Sequence, residues 1–176
     1  IASCLVGSEM CIRDRYSLTG QSTIAKTSAE VIEVHLDPPD PPASPSVLEA
    51  IETSDVLVLG PGSWFTSVMP HLLVPQIVEA IMDSDALKIL TLNVAGADET
   101  NGFSPARHLE VLAEHEPRIR FDVVLADRSF ARSDPHLGTF ARNLGARIVE
   151  ADLAMHDGSA RHDPLRLGAA SAEGLG

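Results

Sequence analysis

The sequence predicts an α/β fold, a mostly parallel sheet with flanking helices in three layers. Three observations carry this reading. Four short, nearly continuous apolar runs, at 55–59, 87–92, 121–126 and 146–149, have strand length and suit strands covered on both faces. Three helix starts share one signature, Ser44-Pro45, Ser104-Pro105 and Asp163-Pro164. There a side-chain oxygen caps the orphan amides and proline takes the first helical position, where no amide hydrogen is missed. Strands and helices then alternate in order, as a parallel sheet with right-handed crossovers requires.

Taken in order, residues 2–15 follow neither a strand nor a helix period cleanly. The stretch resembles a translated sequencing-adapter string, so residues 1–16 are expected to be a non-native segment, and residues 1–15 are expected to add nothing to stability. The other reading is a short strand from Cys4 to Val6 with a turn at Gly7. Val31–Leu36 alternates, with Ile32, Val34 and Leu36 on one face and Glu33 and His35 on the other, which suits a half-exposed strand. The prolines of Asp37-Pro-Pro-Asp-Pro-Pro-Ala-Ser-Pro45 cannot donate to a sheet ladder and predict a stiff surface connection. The apolar helix positions are Val47, Leu48 and Ile51, then Leu109, Leu112 and Ala113, then Leu165 and Ala169. A fourth helix is expected over 136–143, stopped by Gly145. Residues 17–170 thus form one domain, and 171–176 a frayed tail.

The chain has 176 residues, 44% of them hydrophobic, enough to build a core. Its 13 Lys+Arg against 25 Asp+Glu give a net charge of −12. Nucleic-acid and anionic-membrane binding both need a cationic surface, so neither is expected. No apolar run reaches the ~18–20 residues of a membrane-spanning helix, and a cytoplasmic protein is expected. Both cysteines, Cys4 and Cys11, lie near the start, which excludes a thiol nucleophile or cysteine zinc site in the body.

Ligands of open parallel sheets bind beyond the carboxyl ends of the strands. Gly60-Pro-Gly-Ser63 follows one such strand, with Ser63, Thr66 and Ser67 at the expected start of a helix. Tight glycine turns beside hydroxyls and free amides suit a phosphate or diphosphate. The motif is neither a Walker A loop nor G-x-G-x-x-G. A second loop gathers Asn93, Asp98, Glu99, Thr100 and Asn101, suited to sugar hydroxyls or a magnesium ion. Asp127 follows a third strand, and Arg161 offers a fork for phosphate or carboxylate. Asp163 reads as a cap. His108 and His115, beside Glu110 and Glu114, read as a solvated helix face. Trp64 and Phe65 suit either base stacking or packing on the sheet, and no histidine spacing marks a resident metal.

The run Asp55-Val-Leu-Val-Leu-Gly-Pro-Gly-Ser-Trp-Phe-Thr-Ser-Val-Met-Pro-His-Leu-Leu-Val-Pro75 resembles the signature of the bacterial gluconeogenesis factor family, related to 2-phospho-L-lactate transferase. The resemblance continues through 99–105, 108–112, 121–127 and 157–164, covers about Gly20 to Leu167, and looks like the actinobacterial branch. Family members open with a glycine-rich strand–loop–helix unit that this chain lacks, so it looks like the C-terminal portion of a Rossmann-like domain, incomplete at its N-terminus. Loop 93–99 also lacks the family's Pro-Gln-Pro-like stretch.

The resemblance implies a regulatory protein that binds a nucleotide sugar such as UDP-N-acetylglucosamine, linked to cell shape and cell-wall synthesis. The Gly60–Ser63 loop and Arg161 carry over as ligand contacts. The alternative is phosphoryl-group transfer of the 2-phospho-L-lactate transferase kind, with Asp127 or Glu99 holding magnesium. Against that stands the 4% aromatic content, with no apolar, aromatic-rich insertion for a deazaflavin. An open strand edge and uncovered helix faces further predict poor stability or self-association into a homo-oligomer.

Overall fold

A computed structural model describes residues 8–12, 17–20, 31–96 and 100–174. They fall into two compact units, one drawing on Ile1–Thr53, Gly62–Ser84 and Asp98–Asn101, the other on Ser54–Pro61, Asp85–Ala97 and Gly102–Gly176.

The second unit holds the predicted parallel sheet. Its strands are β4 (Val56–Leu59), β5 (Leu87–Thr91), β6 (Val123–Asp127) and β7 (Arg147–Ala151), in the order β4-β5-β6-β7. The register pairs Val56 with Leu87, Ile89 with Val123, and Val123 with Arg147. Its helices are α4 (Pro105–His115), α5 (Arg128–Ala131), α6 (Leu137–Asn143) and α7 (Pro164–Glu173). Every residue of β6 is buried, as expected of an interior strand covered on both faces. Edge strand β4 departs from that expectation, because Val58 is 53% exposed. An apolar run alone does not say whether a strand is central or peripheral.

One face of this sheet packs on α7. Ile89, Val94, Val123, Leu125, Leu153 and Ala170 form the core cluster there, with Leu167 against it. The expected face, Leu165 with Ala169, is therefore wrong; Leu165 is 86% exposed and Ala169 is exposed too. Small residues bring the helix close, and a Cβ on Gly174 would lie 3.9 Å from Ile89 Cδ1. Asp163 caps α7 as predicted, accepting from Leu165 N at 2.9 Å and Arg166 N at 3.2 Å. Ser104 caps α4 through Arg107 N at 3.2 Å. Helix α6 stops as expected at Gly145, whose φ is +81°. There Ala146 N donates to Ala141 O and Gly145 N to Arg142 O, both at 2.9 Å, the paired bonds of a Schellman end.

His108 overturns the solvated-face reading of α4. It is fully buried, edge-on to Phe103 and Phe130 at centroid distances of 5.4 and 5.9 Å, with Nδ1 against Ser104 O at 2.9 Å. Burial holds its pKa below the ordinary histidine value against that carbonyl.

The first unit carries a separate antiparallel sheet ordered β2-β1-β3, from β1 (Ser8–Ile12), β2 (Ser17–Thr19) and β3 (Val31–Leu36). Ser8–Ile12 is its central strand, although residues 2–15 follow no clean strand period in sequence. The other reading, a strand at Cys4–Val6 and a turn at Gly7, lies outside the described residues. In β3, Val34 is buried and His35 exposed, in line with the predicted alternation. Residues 37–44 form the expected irregular connection, with Asp40 at φ +51° and Ala43 N donating to Gln76 Oε1 at 2.8 Å. Helix α1 (Pro45–Thr53) follows, but the Ser44 hydroxyl pairs with that of Ser46 at 2.8 Å. Beyond come a π-helical turn at Trp64–Val68, α2 (Met69–Leu72) and α3 (Pro75–Asp83). Sequence reasoning placed one helix start here and missed α3, whose first position is again a proline. No single helix among the described residues is long and apolar enough to cross a membrane.

Candidate functional site

The predicted site residues divide between the two units. In the parallel-sheet unit, Gly60 and Pro61 follow β4, Asn93 lies just beyond β5, Asp127 ends β6, and Arg161 lies on a hairpin after β7. All belong to segments leaving the carboxyl ends of parallel strands, where open α/β sheets bind ligands.

The hairpin is built by main-chain pairing. Asp163 N donates to Leu153 O at 2.7 Å, Ala154 bridges His162, and Met155 N donates to Arg161 O at 2.8 Å. At its tip, the Asp157 carboxylate accepts from Ser159 and meets Arg161 Nη2 at 3.3 Å. The Arg161 side chain is 73% exposed, so its guanidinium is accessible to an anion. Behind it, Arg166 donates to Asp152 at 2.8 Å and to His156 Nε2 at 2.5 Å.

Asp127 is 3% exposed and fully engaged. Oδ1 accepts from Ser129 Oγ at 2.6 Å, Ser129 N at 2.9 Å and Phe130 N at 3.4 Å. Oδ2 accepts from Leu153 N at 2.9 Å and Ala154 N at 3.1 Å. Burial alone would push this carboxyl up, but the donors from Ser129, Leu153 and Ala154 overcome it and hold it below the usual value.

His162 was missed by sequence reasoning. Its Nε2 lies 3.1 Å from Leu92 O, so that nitrogen carries the proton and ties the hairpin to the end of β5. Burial lowers its pKa, against the Leu92 carbonyl and the nearby Asp127 charge. Spacing rules find no role for it, since its partner is 70 residues away.

The other unit contains Gly62, Ser63, Thr66, Ser67 and Thr100. Ser63 O accepts from Ser67 N at 2.8 Å and Val68 N at 3.1 Å, the second bond closing the π-helical turn. These two amides are therefore taken up within the turn itself. Such turns recur at functional sites. A Cβ on Gly62 would lie 3.3 Å from Ser67 Cβ, close enough that Ser67 would have to shift by a few tenths of an ångström. The Ser63 and Thr66 hydroxyls bond each other; Thr66 and Thr100 are buried, and Ser67 is exposed. Trp64 and Phe65 are each 1% exposed, which decides for packing over base stacking. Glu99 and Asp98 lie outside the described residues. Among the described residues, no group of three or more His, Cys, Asp or Glu could hold a metal ion.

A family profile described as 2-phospho-L-lactate transferase CofD matches residues 6–162. That match starts earlier than the Gly20 expected from the motifs. A Mycobacterium tuberculosis protein named "Putative gluconeogenesis factor" is 43% identical over 156 residues, covering 86% of this chain and 45% of the relative. The gluconeogenesis factor of Halalkalibacterium halodurans is 42% identical over 105 residues, covering 59% of this chain and 33% of the relative. A crystal structure of a Bacillus halodurans protein is similar with TM-score 0.79 and 29% identity, over 97% of this chain and 58% of that one. A second structure, titled as a UPF0052 family member from Bacillus halodurans, gives 0.76 and 29%, over 94% and 57%. The chain thus spans less than half the length of these curated relatives. It belongs to the CofD family of 2-phospho-L-lactate transferase-related proteins, as a counterpart of the C-terminal portion of the gluconeogenesis factors.

Proposed function

We propose that this chain contributes to a cytoplasmic, regulatory protein that binds a nucleotide sugar of the UDP-N-acetylglucosamine type and is linked to cell shape and cell-wall synthesis. The observation that carries the reading is Arg161, an exposed guanidinium in an acidic chain, on a hairpin pinned at the carboxyl end of a parallel sheet. A diphosphate is the anion such a fork accepts. Gly60 and Pro61 leave the same end of the sheet, and the relatives' gluconeogenesis-factor names agree with a regulatory role.

The second reading, transfer of a phosphoryl group, is favoured by the family description alone. Magnesium at Asp127 would have to displace five hydrogen bonds. Trp64 and Phe65 are buried, leaving neither exposed for a deazaflavin to stack on.

Calorimetric titration of a full-length version of the protein with UDP-N-acetylglucosamine tests the proposal. A hydrogen bond to a charged group is worth roughly 1.5–3 kcal/mol, so Arg161→Ala should weaken binding about ten- to a hundredfold. Asp163→Ala is the control, costing about 1 kcal/mol of stability through the lost cap with little change in affinity. Unchanged binding by Arg161→Ala would remove that residue from the site. A full-length version of the protein that binds no nucleotide sugar would remove the reading itself.

A further inference from the structure

Asp127 invests every hydrogen bond it makes in main chain and in one neighbouring hydroxyl. A carboxylate has about four lone-pair sites, and five donors already converge on this one. It is therefore badly suited to touch a ligand. Its Oδ2 instead grips Leu153 and Ala154, where the hairpin begins. From there the pairing climbs in register, Leu153 with Asp163, Ala154 with His162, and Met155 with Arg161. Oδ1 is fixed to the first turn of α5, so the grip is anchored at the end of an entirely buried strand.

Among the described residues, Arg161 has little else to aim it. Its contacts are with exposed Asp157 and the Ser159 hydroxyl, both at 3.3 Å and both on the hairpin. Exposed ion pairs of this kind contribute little. The position of the guanidinium is thus set by the main chain that carries it.

We propose that Asp127 is a positioning residue, which fixes the 153–163 hairpin so that Arg161 is presented to the anionic part of the ligand. The inference rests on the nucleotide-sugar reading above and adds to it how the contact is held. A carboxylate is required because it only accepts; an amide would set its own N–H groups against main-chain N–H groups.

The test is a double-mutant cycle read by calorimetric titration with UDP-N-acetylglucosamine, using the full-length protein at neutral pH. Asp127→Asn should weaken binding about tenfold when Arg161 is present and less than about twofold in the Arg161→Ala background, because coupled residues are non-additive. Ser129→Ala removes only the hydroxyl donor to Oδ1 and keeps the fold testable. It should weaken binding about threefold, again only when Arg161 is present. Equal losses in both backgrounds would overturn the proposal, since Asp127 would then act independently of Arg161. Lower melting temperatures with unchanged affinity would overturn it as well, by reducing Asp127 to a stability role. If the parent binds no nucleotide sugar, the functional reading fails and the positioning role falls with it. If the parent binds and the losses add, the positioning role alone fails.

Discussion

The loops after β4 and β6 both end a strand of the parallel sheet and lead into a short helical turn, yet they close with different atoms. After β4 the closure is main chain on main chain, with Ser63 O taking the amides of Ser67 and Val68, and glycine makes the path sterically open. After β6 a single carboxylate does the closing and reaches across 26 residues to the hairpin. The first loop depends on what is absent, a Cβ. The second depends on what is present, one acceptor-only group. Substitutions should therefore hurt the two loops by different mechanisms and to different degrees.

The largest effect should come from Asp127→Ala, which strands five donors, the Leu153 amide among them in a buried setting. We expect a loss of about 3 kcal/mol or more, read from the urea midpoint. A loss below about 1 kcal/mol would erase the contrast between the loops. The pH dependence sharpens it. The Asp127 pKa is depressed in the folded chain, so the unfolded state binds the proton more readily. Its stabilisation is full above the unfolded pKa of roughly 3.9 and is lost as pH falls through the folded value. Asp127→Ala should flatten this acid limb.

Gly60→Ala comes next. Gly60 sits at φ +79°, and a side chain there should cost about 1–2 kcal/mol in the same assay. A neutral result would mean that the loop relaxes rather than resists. The smallest effect is expected of Arg161→Ala. Its ion pair with Asp157 is exposed, so the urea midpoint should not move measurably even where ligand affinity falls. A clear destabilisation would make Arg161 part of the scaffold.

What the sequence made legible follows the same division. The four parallel strands, the Gly145 stop and the Ser104 and Asp163 caps depend on residues a few positions apart, and pattern reading reached them. The use of Asp127 and His162 depends on partners 26 and 70 residues away, which no local spacing encodes. Helix α7 misled because two faces look alike in sequence. Leu165 with Ala169 has helical spacing, yet Leu167, Ala170 and Gly174 make the face that packs, small residues being what close approach to a sheet needs. His108 misled because flanking glutamates suggested solvent, whereas its ring lies between Phe103 and Phe130. Edge strand β4 carries as apolar a run as β5, and only pairing order told them apart.

The chain has a single tryptophan, Trp64, and it lies 1% exposed in the turn that follows the Gly60–Ser63 loop. It belongs to the unit with the antiparallel sheet, while the parallel-sheet unit contains none. Fluorescence excited selectively in the indole band therefore reports on one unit alone. Circular dichroism reports on helices and strands of both. A denaturation in which the two signals separate would reveal two folding units within one chain; coincident curves would mean that they melt as one. The molecule thus carries its own optical label, placed where the glycine loop turns into helix.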